Sequence, residues 1–115
     1  MVDAKSDYTL LVFWSAWCSH CQELLPQLHS YWCDLPAGRL AVRTISLDQY
    51  SKGLVDHTAS RGWRWDNVDC RDAVCMRLVD GWGVNGSPEL LLFDREGRFV
   101  GRMADIHQLR NELAH

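Results

Sequence analysis

The chain has 115 residues, of which 47% are hydrophobic and 23% are charged, and its formal net charge is −3. This length allows one domain with a single core, so we expect residues 1–115 to form one domain. We also expect the protein to be monomeric. The charge gives no electrostatic reason to expect nucleic acid as a partner, and no apolar run approaches the roughly 20 residues that cross a bilayer. The composition therefore argues against a nucleic-acid-binding protein and against a membrane-spanning one, and it is typical of a globular domain.

The first predicted element is a buried strand from Tyr8 to Trp14, because this run is apolar almost throughout. It leads into an amphipathic helix that carries Cys18 and Cys21 at its start. The unpaired N–H groups and the positive dipole end of a helix start favour the thiolate of Cys18. Cys21, one turn later, can attack a mixed disulfide formed on Cys18. The spacing therefore predicts a redox pair with Cys18 as nucleophile and Cys21 as its resolving partner.

The period of this helix separates its cysteines. At about 100° per residue, the apolar side chains fall within one arc: Leu24, Leu25, Leu28, Tyr31, Trp32 and Leu35. Cys21 projects into the same arc, Cys18 projects at its edge, and Cys33 projects on the opposite side. We therefore expect a sheltered Cys21, a more accessible Cys18 and an exposed Cys33. Pro26 lies inside the helix and removes one backbone hydrogen bond.

A second strand is predicted over residues 39–47, parallel to the first because a helix joins them. Weaker patterns follow: a short helix over 51–61, an aromatic loop over 63–67 and another helix over 69–79. Cys70 and Cys75 lie in this region and are either bridged by a disulfide or two ordinary buried thiols.

The last part of the chain predicts a hairpin and a helix. An apolar strand over residues 89–94 turns through Gly97 into a strand at 99–100. The final helix starts at Asp105, and Gln108 three residues later completes a capping-box pattern. The order of elements predicts an α/β fold with a mixed four-stranded β-sheet flanked by helices and a helical insertion around 51–80.

Particular segments, in this order, carry a family resemblance: the Phe-Trp-x-x-Trp-Cys-x-x-Cys run at 13–21, Pro26, residues 83–88, and residues 93–98. Together they resemble the thioredoxin fold and, more closely, its TlpA/ResA-like branch of thiol-disulfide oxidoreductases. The resemblance implies exchange of disulfides with protein substrates through the Cys-Ser-His-Cys pair, and an upstream redox partner. It also implies that Pro88 is cis and faces the pair, and that the backbone of Ser87 aligns an extended substrate segment.

The chain departs from the family beside the cysteines. Ser19 stands where relatives usually carry proline after the first cysteine. Val12 stands where thioredoxins bury an aspartate that relays a proton to the second cysteine, so the relay is missing or relocated. Glu89, directly after Pro88, is the candidate substitute acid, and the alternative is a solvent-exposed carboxylate at the start of a strand.

Other side chains near the pair are given roles by their chemistry. His20, between the cysteines, is expected to stabilise the Cys18 thiolate and to make the disulfide more oxidising than that of thioredoxin. The Cys-x-His-Cys form resembles the active sites of disulfide isomerases and DsbA, and the alternative is a solvated surface histidine. Trp17 offers a flat apolar surface to an extended substrate, while Trp14 is expected in the core.

Different interpretations of the cysteine pair remain open. A stabilising disulfide gains little from so short a loop, and no second Cys-x-x-Cys supplies further zinc ligands, so we expect no metal and no cofactor. The alternative function is a thioredoxin-fold binding or redox-sensing module without turnover. The resemblance to the TlpA-like branch implies the periplasm or cell envelope of a bacterium, with the cytoplasm as second choice.

Overall fold

The computed structural model describes residues 5–14, 19–46, 65–69, 77, 81, 83 and 88–114. The strands within these ranges are Tyr8–Trp14 (β1), Leu40–Ser46 (β2), Asp66–Asp69 (β3), Glu89–Asp94 (β4) and Phe99–Met103 (β5). The helices are Ser19–Asp34 (α1) and Ile106–Leu113 (α2). In this described part of the chain, no helix is long and apolar enough to span a bilayer.

The strands form one mixed sheet in the order β3-β2-β1-β4-β5. β2 runs parallel to β1 and β3 parallel to β2, whereas β4 is antiparallel to both β1 and β5. β1 is central, and its apolar sequence agrees with this position because residues 10–14 are at most 4% exposed. The predicted thioredoxin-like α/β class, with a mixed sheet, is confirmed.

The strand β3 was not predicted from the sequence. A loop over 63–67 and a helix from Asp69 were expected, and this expectation is wrong for Asp66–Asp69, which pairs with residues 43–46 of β2. Asp and Asn are poor strand formers, so the local pattern gives no strand signal, and the hydrogen-bonding edge of β2 supplies the reason for the strand. Among the described residues, the sheet therefore has five strands where four were predicted.

The predicted helix over 51–61 lies outside the described residues, as do Cys70 and Cys75. Most of the predicted helix over 69–79 also lies outside them, and within it Arg77 is helical. The helical insertion around 51–80 therefore stays a prediction.

Helix α1 packs its apolar stripe on one face of the sheet, as its period predicts. Its buried residues are Cys21, Leu24, Leu25 and Leu28. Pro26 lies inside the helix, and towards its end the indole Nε1 of Trp32 donates a hydrogen bond to the Leu40 carbonyl at 2.8 Å. This bond ties the last turns of α1 to the start of β2.

The two faces of β1 carry different neighbours, because successive side chains of a strand point to opposite faces. Leu10, Val12 and Trp14 belong to the core cluster that contains Cys21. They therefore lie on the face covered by α1. Leu11 and Phe13, the intervening residues, are buried on the opposite face.

The hairpin and the last helix follow the predicted turn and capping chemistry. Gly97 has φ +85°, a left-handed conformation that favours glycine. The Asp105 carboxylate accepts a hydrogen bond from the Gln108 backbone N–H at 2.9 Å. In return, Gln108 Oε1 accepts from the backbone N–H of Ala104 at 2.8 Å, one residue before the cap. The side chains of Asp105 and Gln108 thus both accept backbone N–H groups at the start of α2.

Leu28 offers a test of the packing between α1 and the sheet, because its side chain is 0% exposed. We expect Leu28→Ala to lower the free energy of unfolding by about 2–5 kcal/mol, through lost burial and the cavity left behind. Urea unfolding followed by circular dichroism measures this change. Gln27→Ala, at an exposed position of the same turn, should change it by less than about 0.5 kcal/mol. Equal effects of the two substitutions would contradict the packing described.

Candidate active site

The cysteine pair belongs to the junction between β1 and α1. β1 ends at Trp14, which is fully buried, and α1 begins at Ser19. Residues 15–18, which include Trp17 and Cys18, lie outside the described residues. Cys21 lies in the first turn of α1 and is 0% exposed, so its predicted shelter is confirmed. His20 in the same turn is exposed.

Pro88 lies at the same end of the sheet as this junction. β4 is the antiparallel neighbour of β1, and Glu89 at its start pairs with Phe13 near the end of β1. Pro88, the residue before Glu89, is therefore placed beside the end of β1, where the chain leaves for the cysteines. It is partly buried. Ser87, which is predicted to align substrate, lies outside the described residues.

The sheet separates Glu89 from the surroundings of Cys21. Val12, where the resemblance implies a buried aspartate, is 0% exposed in the cluster that holds Cys21. Glu89 pairs with Phe13, so its side chain points to the opposite face. There its carboxylate forms an ion pair with Arg102. A proton route from Glu89 to Cys21 would have to pass around the end of the sheet at Pro88, and the relay stays a prediction.

These elements match a known family. A family model described as thioredoxin-like matches residues 6–99, which is most of the chain. The chain belongs to the thioredoxin-like family. The thioredoxin-like resemblance predicted from the sequence is therefore confirmed, and a comparison with curated proteins finds no match.

Solved structures share the fold of this thioredoxin-like protein. StoA from Bacillus subtilis is 22% identical with a TM-score of 0.77, over 96% of this chain and 84% of StoA. The thioredoxin domain of a thiol-disulfide oxidoreductase from Bacteroides vulgatus is 24% identical with a TM-score of 0.81, over 97% and 80%. A thiol-disulfide isomerase from Corynebacterium glutamicum is 14% identical with a TM-score of 0.81, over 96% and 81%. At these identities the similarity shows the fold.

Sequence reasoning missed Arg102 of this thioredoxin-like protein. The predicted last strand stopped at Val100, whereas β5 continues to Met103 and pairs Arg102 with Leu91. This register places Arg102 on the same face as Glu89 and at the same end of the sheet as Pro88. A strand predicted as far as Met103 would have placed Arg102 on this face. Gly101 interrupts the strand pattern of the sequence, so the predicted strand was too short.

Cys33 lies away from this end of the sheet. It is exposed in the last turn of α1, as the helical period predicts, and its Sγ lies 3.8 Å from each ring nitrogen of His29. The His29 ring in turn contacts Trp65 edge-on, with the ring centroids 5.1 Å apart. Because α1 begins at the cysteine junction and runs for 16 residues, about 1.5 Å of rise per residue places Cys33 roughly 20 Å from that junction.

Proposed function

We propose that this protein is a thiol-disulfide oxidoreductase that exchanges disulfides with protein substrates through Cys18 and Cys21. The observation that carries the proposal is the pairing of Glu89 with Phe13, which brings Pro88 beside the end of β1. The full burial of Cys21 directly behind that end gives the second thiol the shelter that a resolving cysteine needs. The thioredoxin-like family and the named oxidoreductases among its fold neighbours support the class of reaction.

The exchange takes place in steps that balance in electrons and protons. The Cys18 thiolate attacks one sulfur of a substrate disulfide, and the other substrate sulfur leaves as a thiolate that takes up a proton. Cys21 then loses its proton and attacks the Cys18 sulfur of the mixed disulfide. The second substrate sulfur leaves, and a Cys18–Cys21 disulfide remains. The substrate is reduced by two electrons, the pair is oxidised by two, and an upstream dithiol restores the pair.

Substrate is expected to bind beside the pair as an extended segment. Pro88 and the backbone of Ser87 would align that segment, as an added strand does at a sheet edge. Trp17, just before Cys18 in the sequence, would supply apolar contact area for unfolded or extended chains. From the resemblance to the TlpA/ResA-like branch, we propose that this activity takes place in the periplasm or cell envelope of a bacterium.

The deprotonation of Cys21 needs a proton acceptor, because Val12 stands where the resemblance implies a buried aspartate. Val12 and its described neighbours around Cys21 form an apolar cluster. A thiolate formed in apolar surroundings is poorly solvated. We therefore propose that Glu89, the carboxylate that directly follows Pro88, relays the proton around the end of the sheet.

His20 is proposed to stabilise the Cys18 thiolate, and its side chain is exposed in the first turn of α1. We expect a reduction potential above the thioredoxin figure of about −270 mV, and we expect His20→Ala to lower it by about 30 mV or more, a tenfold change in the equilibrium with glutathione. Equilibration with glutathione buffers measures both. His107→Ala, at an exposed position in α2, should leave the potential unchanged, and a wild-type value at or below that of thioredoxin would contradict this role.

Reduction of insulin by dithiothreitol tests the proposed function. An oxidoreductase accelerates precipitation of the released insulin chains at substoichiometric concentration. A binding or redox-sensing module of the same fold would bind or be oxidised without accelerating it. The rate with and without wild-type protein therefore separates the two functions.

A further inference from the structure

Arg102 and Glu89 form an ion pair next to Pro88. The Arg102 guanidinium contacts the Glu89 carboxylate through Nη1 and Oε1. The Glu89 side chain is 23% exposed and that of Arg102 is 43% exposed, so the pair lies at the rim of the sheet. The register explains the contact. Glu89 and Leu91 are two residues apart, so their side chains lie on the same face of β4, and Leu91 pairs with Arg102.

The same guanidinium also lies beside Gly83. A Cβ built on Gly83 would be 3.5 Å from Arg102 Nη2, an ordinary van der Waals distance. Gly83 has φ +67°, a conformation that side chains rarely adopt. Arg102 therefore lies against both flanks of the sequence segment that ends at Pro88, with Glu89 following the segment and Gly83 at its beginning.

Global stability does not account for this arrangement. Ion pairs with this degree of exposure contribute little to the stability of a fold. Acidic residues are poor strand formers, and β4 carries one at each end, Glu89 and Asp94, around a buried apolar centre. The Glu89 carboxylate nevertheless contacts one nitrogen of a planar guanidinium, a group whose direction is more fixed than that of an ammonium group.

We propose that Arg102 is a positioning residue for the oxidoreductase site. Through the Glu89 carboxylate and the backbone at Gly83, it fixes Pro88 against the end of β1 and so holds the strand segment to which protein substrates pair. The inference rests on the proposed function and deepens it, because it names what sets the substrate-binding geometry. Arg102 takes no part in electron transfer.

Loss of the Arg102 contacts is expected to affect large and small disulfide substrates differently. A protein disulfide uses the backbone beside Pro88 as well as the cysteines, whereas 2-hydroxyethyl disulfide is too small to pair with that backbone. Loss of the Arg102 contacts should therefore weaken the reaction with the first and leave the second unchanged. A general loss of structure would reduce both.

The experiment compares KM and kcat of wild type and Arg102→Met for insulin, and their rates with 2-hydroxyethyl disulfide. Methionine keeps the apolar length of the arginine side chain and removes the charge. We expect KM for insulin to rise about fivefold or more in Arg102→Met, because misplaced substrate-binding groups lose alignment, with the small disulfide within about twofold of wild type.

The control is Arg98→Met, an exposed arginine at the other end of the same hairpin, which should keep the wild-type KM. Arg102→Lys retains a positive charge without the fork that reaches both Glu89 and Gly83, and we expect an intermediate KM. An Arg102→Met variant indistinguishable from Arg98→Met, or one that loses both reactions equally while its urea midpoint is unchanged, overturns the positioning role. In that case normal turnover of insulin by wild type leaves the proposed function in place. A wild type that does not reduce insulin defeats both.

Discussion

Replacing Cys18 with serine is expected to lower the catalysed rate of insulin reduction by at least about 10³-fold, because removing the nucleophile removes the covalent route. A serine hydroxyl stays protonated at neutral pH, whereas the reacting form of cysteine is the thiolate. Cys21 cannot take its place, since its side chain is 0% exposed behind the end of β1. The turbidity of precipitating insulin, followed against dithiothreitol alone, measures the loss.

Cys33→Ser is the matched control for this experiment. It makes the same chemical change at an exposed thiol of α1, close to His29. We expect this variant to keep the wild-type rate. If Cys18→Ser retained the rate and Cys33→Ser lost it, the reactive sulfur would be Cys33, and the junction between β1 and α1 would not be the active site.

The local pattern of the sequence was sufficient for the elements that build the site. The bounds of β1 and β4 agree with the predicted apolar runs, because each run is bordered by polar or turn-forming residues. The buried stripe of α1 agrees with its period, since one face of a helix against a sheet requires apolar residues at those intervals. The burial of Cys21 and the exposure of Cys33 follow from the same period.

Interactions between distant parts of the chain could not be predicted in this way. β3 is a strand because the edge of β2 pairs with it, although its own residues Asp66–Asp69 favour other conformations. The ion pair between Glu89 and Arg102 depends on the register of β4 and β5, which shifts between Leu92 and Phe93. A sequence pattern contains no information on that irregularity, so Arg102 was not among the predicted site residues.

The alternation of side chains along β1 and β4 also separates Glu89 from the position of the missing aspartate. Closeness in the family fold made Glu89 a candidate for the role of the missing aspartate at Val12. The register places these two side chains on opposite faces of the sheet. The position of Glu89 next to Pro88 in the sequence was sufficient to predict the end of the sheet at which it lies. The face to which its side chain points depends on strand pairing and could not be predicted.

Replacing Cys21 with serine is expected to trap the mixed disulfide between Cys18 and substrate. In the proposed mechanism Cys21 attacks from within the same molecule, and an intramolecular group reacts as though at very high concentration. Without it, only dissolved thiol can resolve the intermediate, so its lifetime should increase at least about 10³-fold in millimolar dithiothreitol. Quenching with acid and measuring the intact mass gives the lifetime, because the intermediate carries the mass of the bound insulin chain.

Measurements of the same intermediate also test whether Glu89 relays the proton and which of the two cysteines attacks the substrate. Cys21→Ala is the second variant, since a serine hydroxyl buried at this position can lower stability. With Cys21 present, Glu89→Gln should slow the decay of the intermediate without slowing its formation, and unchanged decay would remove Glu89 from the relay. An intermediate that accumulates on Cys18→Ser instead of on the Cys21 variants would reverse the assignment. The buried sulfur would then be the attacking group, which its lack of exposure makes the less favourable order.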